Sequence, residues 1–164
     1  MADPVVEEAI KKAAVAWVSI DGGPPYALWC LPLDGGLYVV SGLGEQTAPG
    51  LVGASTAEVT LRGDHGGRIV TFTADVRRVQ PGDEEWNTVA PQVAGKRLNA
   101  PSAAEALVER WTMECELSRL APADTAAVTG AALPDGSGAA PPRDTPATNP
   151  TRKPFRLHKV RGAR

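Results

Sequence analysis

Six stretches of the chain are predicted as β-strands: in some, hydrophobic and polar residues alternate with a period of two, and in others β-forming residues run up to a turn signal. In residues 57–62, for example, Ala57, Val59 and Leu61 alternate with polar neighbours. The three apolar side chains therefore share one face of a strand. Turn residues such as Asp34 and Gly35 mark where strands end. The six predicted strands are residues 14–20, 26–33, 37–41, 57–62, 68–79 and 112–120.

Three further segments have helical spacing. Residues 3–12 begin with Asp3, which can cap a helix, and Pro4, which suits its first position. Residues 83–98 and 101–111 also show apolar residues at helical intervals. The order of elements is helix, three strands, loop, two strands, two helices and a last strand. Because a doubly wound parallel sheet needs a helical crossover after nearly every strand, this order predicts a mainly β, antiparallel barrel with a few short helices.

The C-terminal part of the chain differs in composition and charge. Residues 125–164 are rich in Ala, Pro, Gly and Thr, and they hold seven Lys or Arg and two Asp. This segment therefore carries a net charge of +5, while residues 1–124 carry −7. We expect a folded domain over residues 1–124 and a largely disordered basic tail over residues 125–164. The tail is the one feature that would suit a polyanion, and nucleic-acid binding is not expected of the domain.

Composition excludes several classes of protein. No apolar run approaches the length of about 18 residues that a membrane helix requires. The N-terminus lacks the apolar core of a secretory signal, so we expect a cytoplasmic protein without a membrane span. Cys30 and Cys115 lie in apolar runs and are interpreted as core residues, and neither His65 nor His158 has a catalytic or metal-binding set around it. This pattern argues against a hydrolase and predicts no metal site.

The segment SGLGEQTAPGL, residues 41–51, follows an apolar strand and contains three glycines. Glycines allow backbone N–H groups to approach an anion, as phosphate-binding loops require. Yet the segment holds Glu45 and no Lys or Arg. It has the flexibility of a phosphate site without the positive charge.

The order of these elements resembles the pyridoxamine 5′-phosphate oxidase-like, FMN-binding split barrels, in the small type common in actinobacteria. The resemblance covers roughly residues 5–123 and rests on three segments and their order: AWVSIDGGPPYALWCLPLDGGLYVVSG, VTLRGDHGGRIVTFTADVRRV and a closing strand after AGKRLN. It implies a six-stranded antiparallel split β-barrel of Greek-key type. It also implies a homodimer with two flavin sites at the subunit interface.

In this family, Arg or Lys at the end of the third strand and in the following short helix usually hold the FMN phosphate. Here Glu45 and Gln46 stand in that place, and a carboxylate beside a phosphate is unfavourable. Lys96 and Arg97 form the compact basic cluster of the acidic domain, and they either compensate a helix dipole or contact an anion. The predicted cofactor-binding residues are Ser41, Gln46, Thr47, Lys96, Arg97 and Asn99.

Two hypotheses of function remain open at this point. In the first, the chain is an FMN- or deazaflavin-dependent oxidoreductase, in which the cofactor supplies the electron chemistry and no catalytic residue set is needed. In the second, it is a non-catalytic split-barrel dimer that has lost the FMN-phosphate site and binds haem, another cofactor or a partner. Glu45 favours the second hypothesis, and the Lys96–Arg97 pair favours the first.

Overall fold

The computed structural model describes residues 3–134 and residue 136. The three helices are α1 (Pro4–Lys12), α2 (Glu84–Lys96) and α3 (Ala104–Glu114). The strands are β1 (Val15–Ser19), β2 (Tyr26–Trp29), β3 (Leu31–Leu33), β4 (Gly36–Gly42), β5 (Thr56–Arg62), β6 (Arg68–Val79), β7 (Cys115–Pro122) and β8 (Val128–Thr129). Asp3 caps α1 as predicted, because its side chain accepts a hydrogen bond of 2.8 Å from the Val5 backbone N–H.

The strands form one antiparallel sheet in the order β2, β1, β5, β6, β7, β4, β3, with β8 added beside β6. β2 and β3 lie at opposite ends of this order, yet only Cys30 separates them in the chain. One bent stretch therefore joins the two ends of the sheet and nearly closes it into a barrel. β5 returns to pair with β1, which is the Greek-key connection that the resemblance implied.

The mainly β, antiparallel architecture is confirmed, whereas the number of six strands is wrong. All six predicted stretches contain strand, but residues 26–33 divide at Cys30 because their two halves pair with different neighbours. β2 pairs with β1, and β3 pairs with β4. The last strand begins at Cys115, three residues after its predicted start at residue 112, because α3 continues to Glu114. Met113 therefore lies in the helix and is 83% exposed.

Two groups of apolar side chains lie on opposite sides of β4. Leu37 and Val39 point into the barrel, while Tyr38 and Val40 pack against α2 and α3. All of β4 except its last residue, Gly42, is buried. This explains its continuous apolar sequence. It also places the loop after β4 at the junction of the barrel with the helices.

The sheet continues past the predicted domain boundary at residue 124. β8 pairs with β6 through Val70 with Thr129 and Thr71 with Val128. Arg68 then donates hydrogen bonds to the backbone carbonyls of Pro134 and Gly136. We call residues 128–134 the strap. The rest of the predicted tail, residues 137–164, lies outside the described residues.

Among the described helices, none is long and apolar enough to cross a membrane. Cys30 and Cys115 are both buried and free, as the core interpretation predicted.

Candidate functional site

The loop after β4 turns towards α3 at a glycine. Gly42 has a φ of +139°, and a Cβ on it would lie 2.7 Å from the Glu114 carbonyl oxygen. Gly44 has a φ of +73°, and a Cβ there would lie 2.8 Å from an Arg110 nitrogen. Position 42 therefore favours glycine for conformation and for space, whereas at position 44 conformation favours glycine and an added Cβ would displace the end of the Arg110 side chain. The turn carries the next residue, Glu45, inward between the helices.

Glu45 is the centre of a buried ion cluster. Its Oε2 accepts a hydrogen bond of 2.7 Å from Arg97 Nε, and its Oε1 accepts one of 2.5 Å from Arg110 Nη2. Trp111 Nε1 donates a third, of 3.0 Å, to Oε1. The Glu45 side chain is only 7% exposed, against 20% for Arg97 and 27% for Arg110. We call these four residues the Glu45 cluster.

The cluster keeps Glu45 ionised. Burial raises the pKa of the Glu45 carboxyl, but the hydrogen bonds from Arg97, Trp111 and Arg110 lower it by more, so the pKa lies below its ordinary value. The arginines are anchored in turn: Arg110 Nη1 donates to the Leu43 carbonyl at 2.6 Å, and Arg97 Nη1 donates to the Leu98 carbonyl at 2.9 Å. The positive charge predicted at Arg97 is present, but it is already paired with the Glu45 carboxylate of the same chain.

Gln46 joins the loop to the end of β2. Its Oε1 accepts a 2.8 Å hydrogen bond from the Trp29 backbone N–H, and its Nε2 donates a 2.8 Å bond to the Trp29 carbonyl. Its own carbonyl accepts from Gly42 N–H at 3.2 Å. Gln46 therefore fastens the end of β4 to the end of β2, at what we call the seam of the barrel.

A pocket of about 300 Å³ opens at the seam beside the cluster. We call it the seam pocket. Its lining residues are Trp29, Val40, Glu45, Gln46, Arg97 and Leu98. The wall is thus partly apolar and aromatic and partly polar, and it includes two members of the Glu45 cluster. This arrangement can hold a planar apolar group next to an ionic contact.

The structure brings some of the predicted site residues together and leaves others apart. Gln46 and Arg97 both line the seam pocket. Ser41 is 4% exposed, and its Oγ has no hydrogen-bond partner within the described residues. Thr47, Lys96 and Asn99 are exposed, and of these only Asn99 contacts the cluster, through its carbonyl at 3.2 Å from Arg97 Nη1. Their roles in cofactor binding stay predictions.

Sequence reasoning missed Arg110 and the polar role of Trp111. Both lie in the segment 101–111 that was predicted as a helix, with Trp111 on its apolar side. They are 65 and 66 positions away from Glu45 in sequence. The available signal was indirect, since a glutamate in a predicted anion loop needs counter-charges from elsewhere in the fold.

A second cleft, of about 440 Å³, lies on the outer face of β1, β5 and β6 beside the strap. There the Arg62 guanidinium lies 4.4 Å from the centre of the Trp17 ring, and Arg62 also donates to the Gly66 carbonyl at 3.3 Å. Thr60 and Thr71 hydroxyls are 2.7 Å apart. We call this the strap cleft. Its arginines contact a ring and backbone carbonyls.

Metal ligation was not predicted, and across residues 3–134 no group of three or more His, Cys, Asp or Glu is placed to hold a metal ion. None of the residues that line the seam pocket is His, Cys or Met, the side chains that usually ligate haem iron.

Comparisons with known proteins place the fold. No protein-family model matches the sequence. No curated protein matches it significantly. Solved structures do match. HutZ, the haem storage protein of Vibrio cholerae, has a TM-score of 0.53 and 17% identity, over 77% of this chain and 93% of HutZ.

Two further structures have lower scores. A FAD-binding protein of Mesorhizobium loti has a TM-score of 0.46 and 17% identity, covering 77% of this chain and 92% of its own. A Listeria innocua protein provisionally described as a pyridoxamine 5′-phosphate oxidase has a TM-score of 0.46 and 13% identity, covering 70% and 88%. These structural neighbours are pyridoxamine 5′-phosphate oxidase-like split-barrel proteins. The likeness to HutZ confirms, at the level of the fold, the resemblance that the sequence predicted: this chain is built as a split barrel of that kind.

Proposed function

We propose that this chain is a non-catalytic split-barrel binding protein that does not hold FMN by its phosphate. One observation carries the proposal: the Glu45 carboxylate, 7% exposed, accepts hydrogen bonds from Arg97, Arg110 and Trp111 where the family resemblance puts a phosphate. A phosphate dianion at this position would stand beside a carboxylate or would have to displace it from three donors. Either outcome weakens FMN binding.

A flavin- or deazaflavin-dependent oxidoreductase is the second candidate. It is favoured by the seam pocket, in which Trp29 and Leu98 offer an apolar wall for a ring system next to Arg97. FMN and the deazaflavin coenzyme both carry phosphate, so either would need Arg97 released from Glu45. Haem is a further cofactor of this scaffold, since the neighbour HutZ is a haem storage protein. For haem, an axial ligand would have to come from outside the seam pocket.

The deciding experiment is a visible spectrum of the purified full chain, followed by fluorescence titration with FMN, the deazaflavin coenzyme and haem. We expect a colourless protein with no saturable binding of FMN in the micromolar range. Arg97→Ala and Lys96→Ala form a matched pair, because Arg97 lies in the cluster and Lys96 is exposed beside it.

The opposite result is equally specific. Saturable micromolar FMN binding that weakens at least tenfold in Arg97→Ala, about 1.4 kcal/mol, and is unchanged in Lys96→Ala would overturn the proposal and support the oxidoreductase.

The proposal includes a homodimer as the working unit, as the family resemblance implies. Light scattering coupled to size-exclusion chromatography tests it, with an expected mass of twice the 17.1 kDa of one chain. A mass of one chain at micromolar concentration would remove the dimer from the proposal.

A further inference from the structure

We infer that the seam pocket and the Glu45 cluster form one site for a planar, apolar ligand that bears a carboxylate, with the ligand's carboxylate taking the place of Glu45. This inference rests on the proposed function, because it assigns a ligand class to a binding protein that does not use a phosphate. It is carried by the geometry of the cluster and by its continuity with the pocket.

The cluster already binds a carboxylate, which is the side chain of Glu45 itself. Arg97 Nε reaches one carboxylate oxygen, and Arg110 Nη2 and Trp111 Nε1 reach the other. The three donors together cover both oxygens of a planar carboxylate, with a different arginine on each oxygen, and such charge-assisted hydrogen bonds are strong. A tetrahedral phosphate would bring further oxygens for which these three donors provide no partner.

The cluster and the pocket are physically continuous. Glu45 and Arg97 belong to both, and Trp29, Val40 and Leu98 supply apolar lining to the same pocket. A ring that packs against this apolar lining would therefore lie next to the cluster, where it could carry a carboxylate within reach of it. Leu98 is 78% exposed, so a ligand there would cover apolar surface that now faces water.

The part that exchanges is the Glu45 side chain and not the loop backbone, because Arg110 holds Leu43 on one side of it and Trp29 holds Gln46 on the other. Arg97 and Arg110 are each anchored by backbone carbonyls, of Leu98 and Leu43 respectively. The arginines can therefore stay in place while Glu45 exchanges with another carboxylate.

Because Glu45 is tethered to its own site, it competes with any free ligand at a high effective concentration. The ligand affinity of the natural chain is therefore lower than the donors alone would give. Removing the carboxylate should reveal the difference, and only for ligands that carry a carboxylate of their own.

The test compares 2-naphthoate with its uncharged isostere 2-naphthamide, by fluorescence titration of the full chain. We expect Glu45→Ala to bind 2-naphthoate at least tenfold more tightly than the natural chain does, with little change for 2-naphthamide. Glu114→Ala is the matched control, since Glu114 also faces Arg110, at 3.8 Å, but is 42% exposed and outside the cluster. It should leave both affinities unchanged. Adding Arg97→Ala to Glu45→Ala should reverse the gain.

Circular dichroism checks that each variant is folded, and Glu45→Gln replaces Glu45→Ala if the latter is not. The inference is overturned if a folded Glu45 variant binds 2-naphthoate no better than the natural chain. It is also overturned if 2-naphthamide or Glu114→Ala shows the same gain, since the effect would then be unspecific. FMN separates this failure from that of the proposed function: tight FMN binding by the natural chain defeats the latter, whereas weak FMN binding with no naphthoate gain defeats this inference alone.

Discussion

Two pairs of arginines lie in different settings on the same barrel. Arg97 and Arg110 converge on one buried carboxylate, and each also holds a backbone carbonyl. In the strap cleft, Arg62 lies over the Trp17 ring and Arg68 binds carbonyls of the strap and of Gly136. The comparison teaches that an arginine in the sequence need not be available in the folded protein to bind an external anion. The first pair joins a loop to two helices through a shared carboxylate, and the second contacts an aromatic ring and backbone carbonyls at the surface.

The largest expected effect is that of Glu45→Ala, which leaves two half-buried arginines without their shared carboxylate. We expect the free energy of unfolding to fall by about 2–3 kcal/mol, the usual range for a charged hydrogen-bonded group. Urea denaturation measures it. Glu114→Ala, whose pair with Arg110 is long and exposed, should cost about 0.5 kcal/mol or less. Equal losses would mean that the Glu45 cluster has no special role in stability.

A pair of glycine substitutions compares the two regions directly. Gly44 and Gly66 both have positive φ, but a Cβ at Gly44 meets Arg110 at 2.8 Å whereas nothing lies within 4 Å at Gly66. Gly66→Ala should cost about 1 kcal/mol from backbone strain alone. Gly44→Ala should cost about 1 kcal/mol more, because Arg110 must also move. Thermal unfolding of both variants measures the difference, and equal losses would contradict the account of Gly44.

Acid should weaken the Glu45 cluster. The pKa of Glu45 is lowered in the folded chain from its ordinary value of 4.5, so the unfolded chain takes up this proton more readily. The stability that Glu45 provides is therefore present in full above pH 4.5 and is lost as the pH falls through the lowered pKa. Urea midpoints followed from pH 6 to pH 3 should fall more steeply for the natural chain than for Glu45→Gln. Parallel curves would mean that Glu45 makes no contribution through its charge.

A smaller effect than that of Glu45→Ala is expected of Arg62→Ala, which removes the guanidinium from the Trp17 ring. A stacked pair at an exposed site contributes about 0.5–1 kcal/mol, and we expect a loss of this size in urea denaturation. Trp17 emission should change as well. A loss as large as that of Glu45→Ala would show that the two arginine pairs do not differ in the way described.

The sequence predicted the barrel because alternation is a local signal. Residues such as Ala57, Val59 and Leu61 carry it, and all three are buried. The division of residues 26–33 had no such signal, since the pattern continues through Cys30 while the pairing partner changes. The partner of a strand is a property of the whole sheet.

Only part of the Glu45 cluster could be predicted from the sequence, for a similar reason. The misplaced charge at Glu45 was visible, and so was the cation at Arg97, 52 positions further along. That these two charges neutralise each other depends on how α2 ends beside the loop after β4. Arg110 gave no signal at all, because an arginine on the polar face of a helix is ordinary.

The bend at Cys30, between β2 and β3, also affects the reactivity of the Cys30 thiol. Cys30 is 2% exposed, and burial raises its pKa to about 12. Since the thiolate is the reactive form, this group should resist alkylation as long as β2 and β3 hold the two ends of the sheet together. In a Cys115→Ser variant, the rate of Cys30 alkylation by iodoacetamide would then measure how often the barrel opens at this bend. The alkylation rate of Cys30 thus reports how often the barrel opens between β2 and β3.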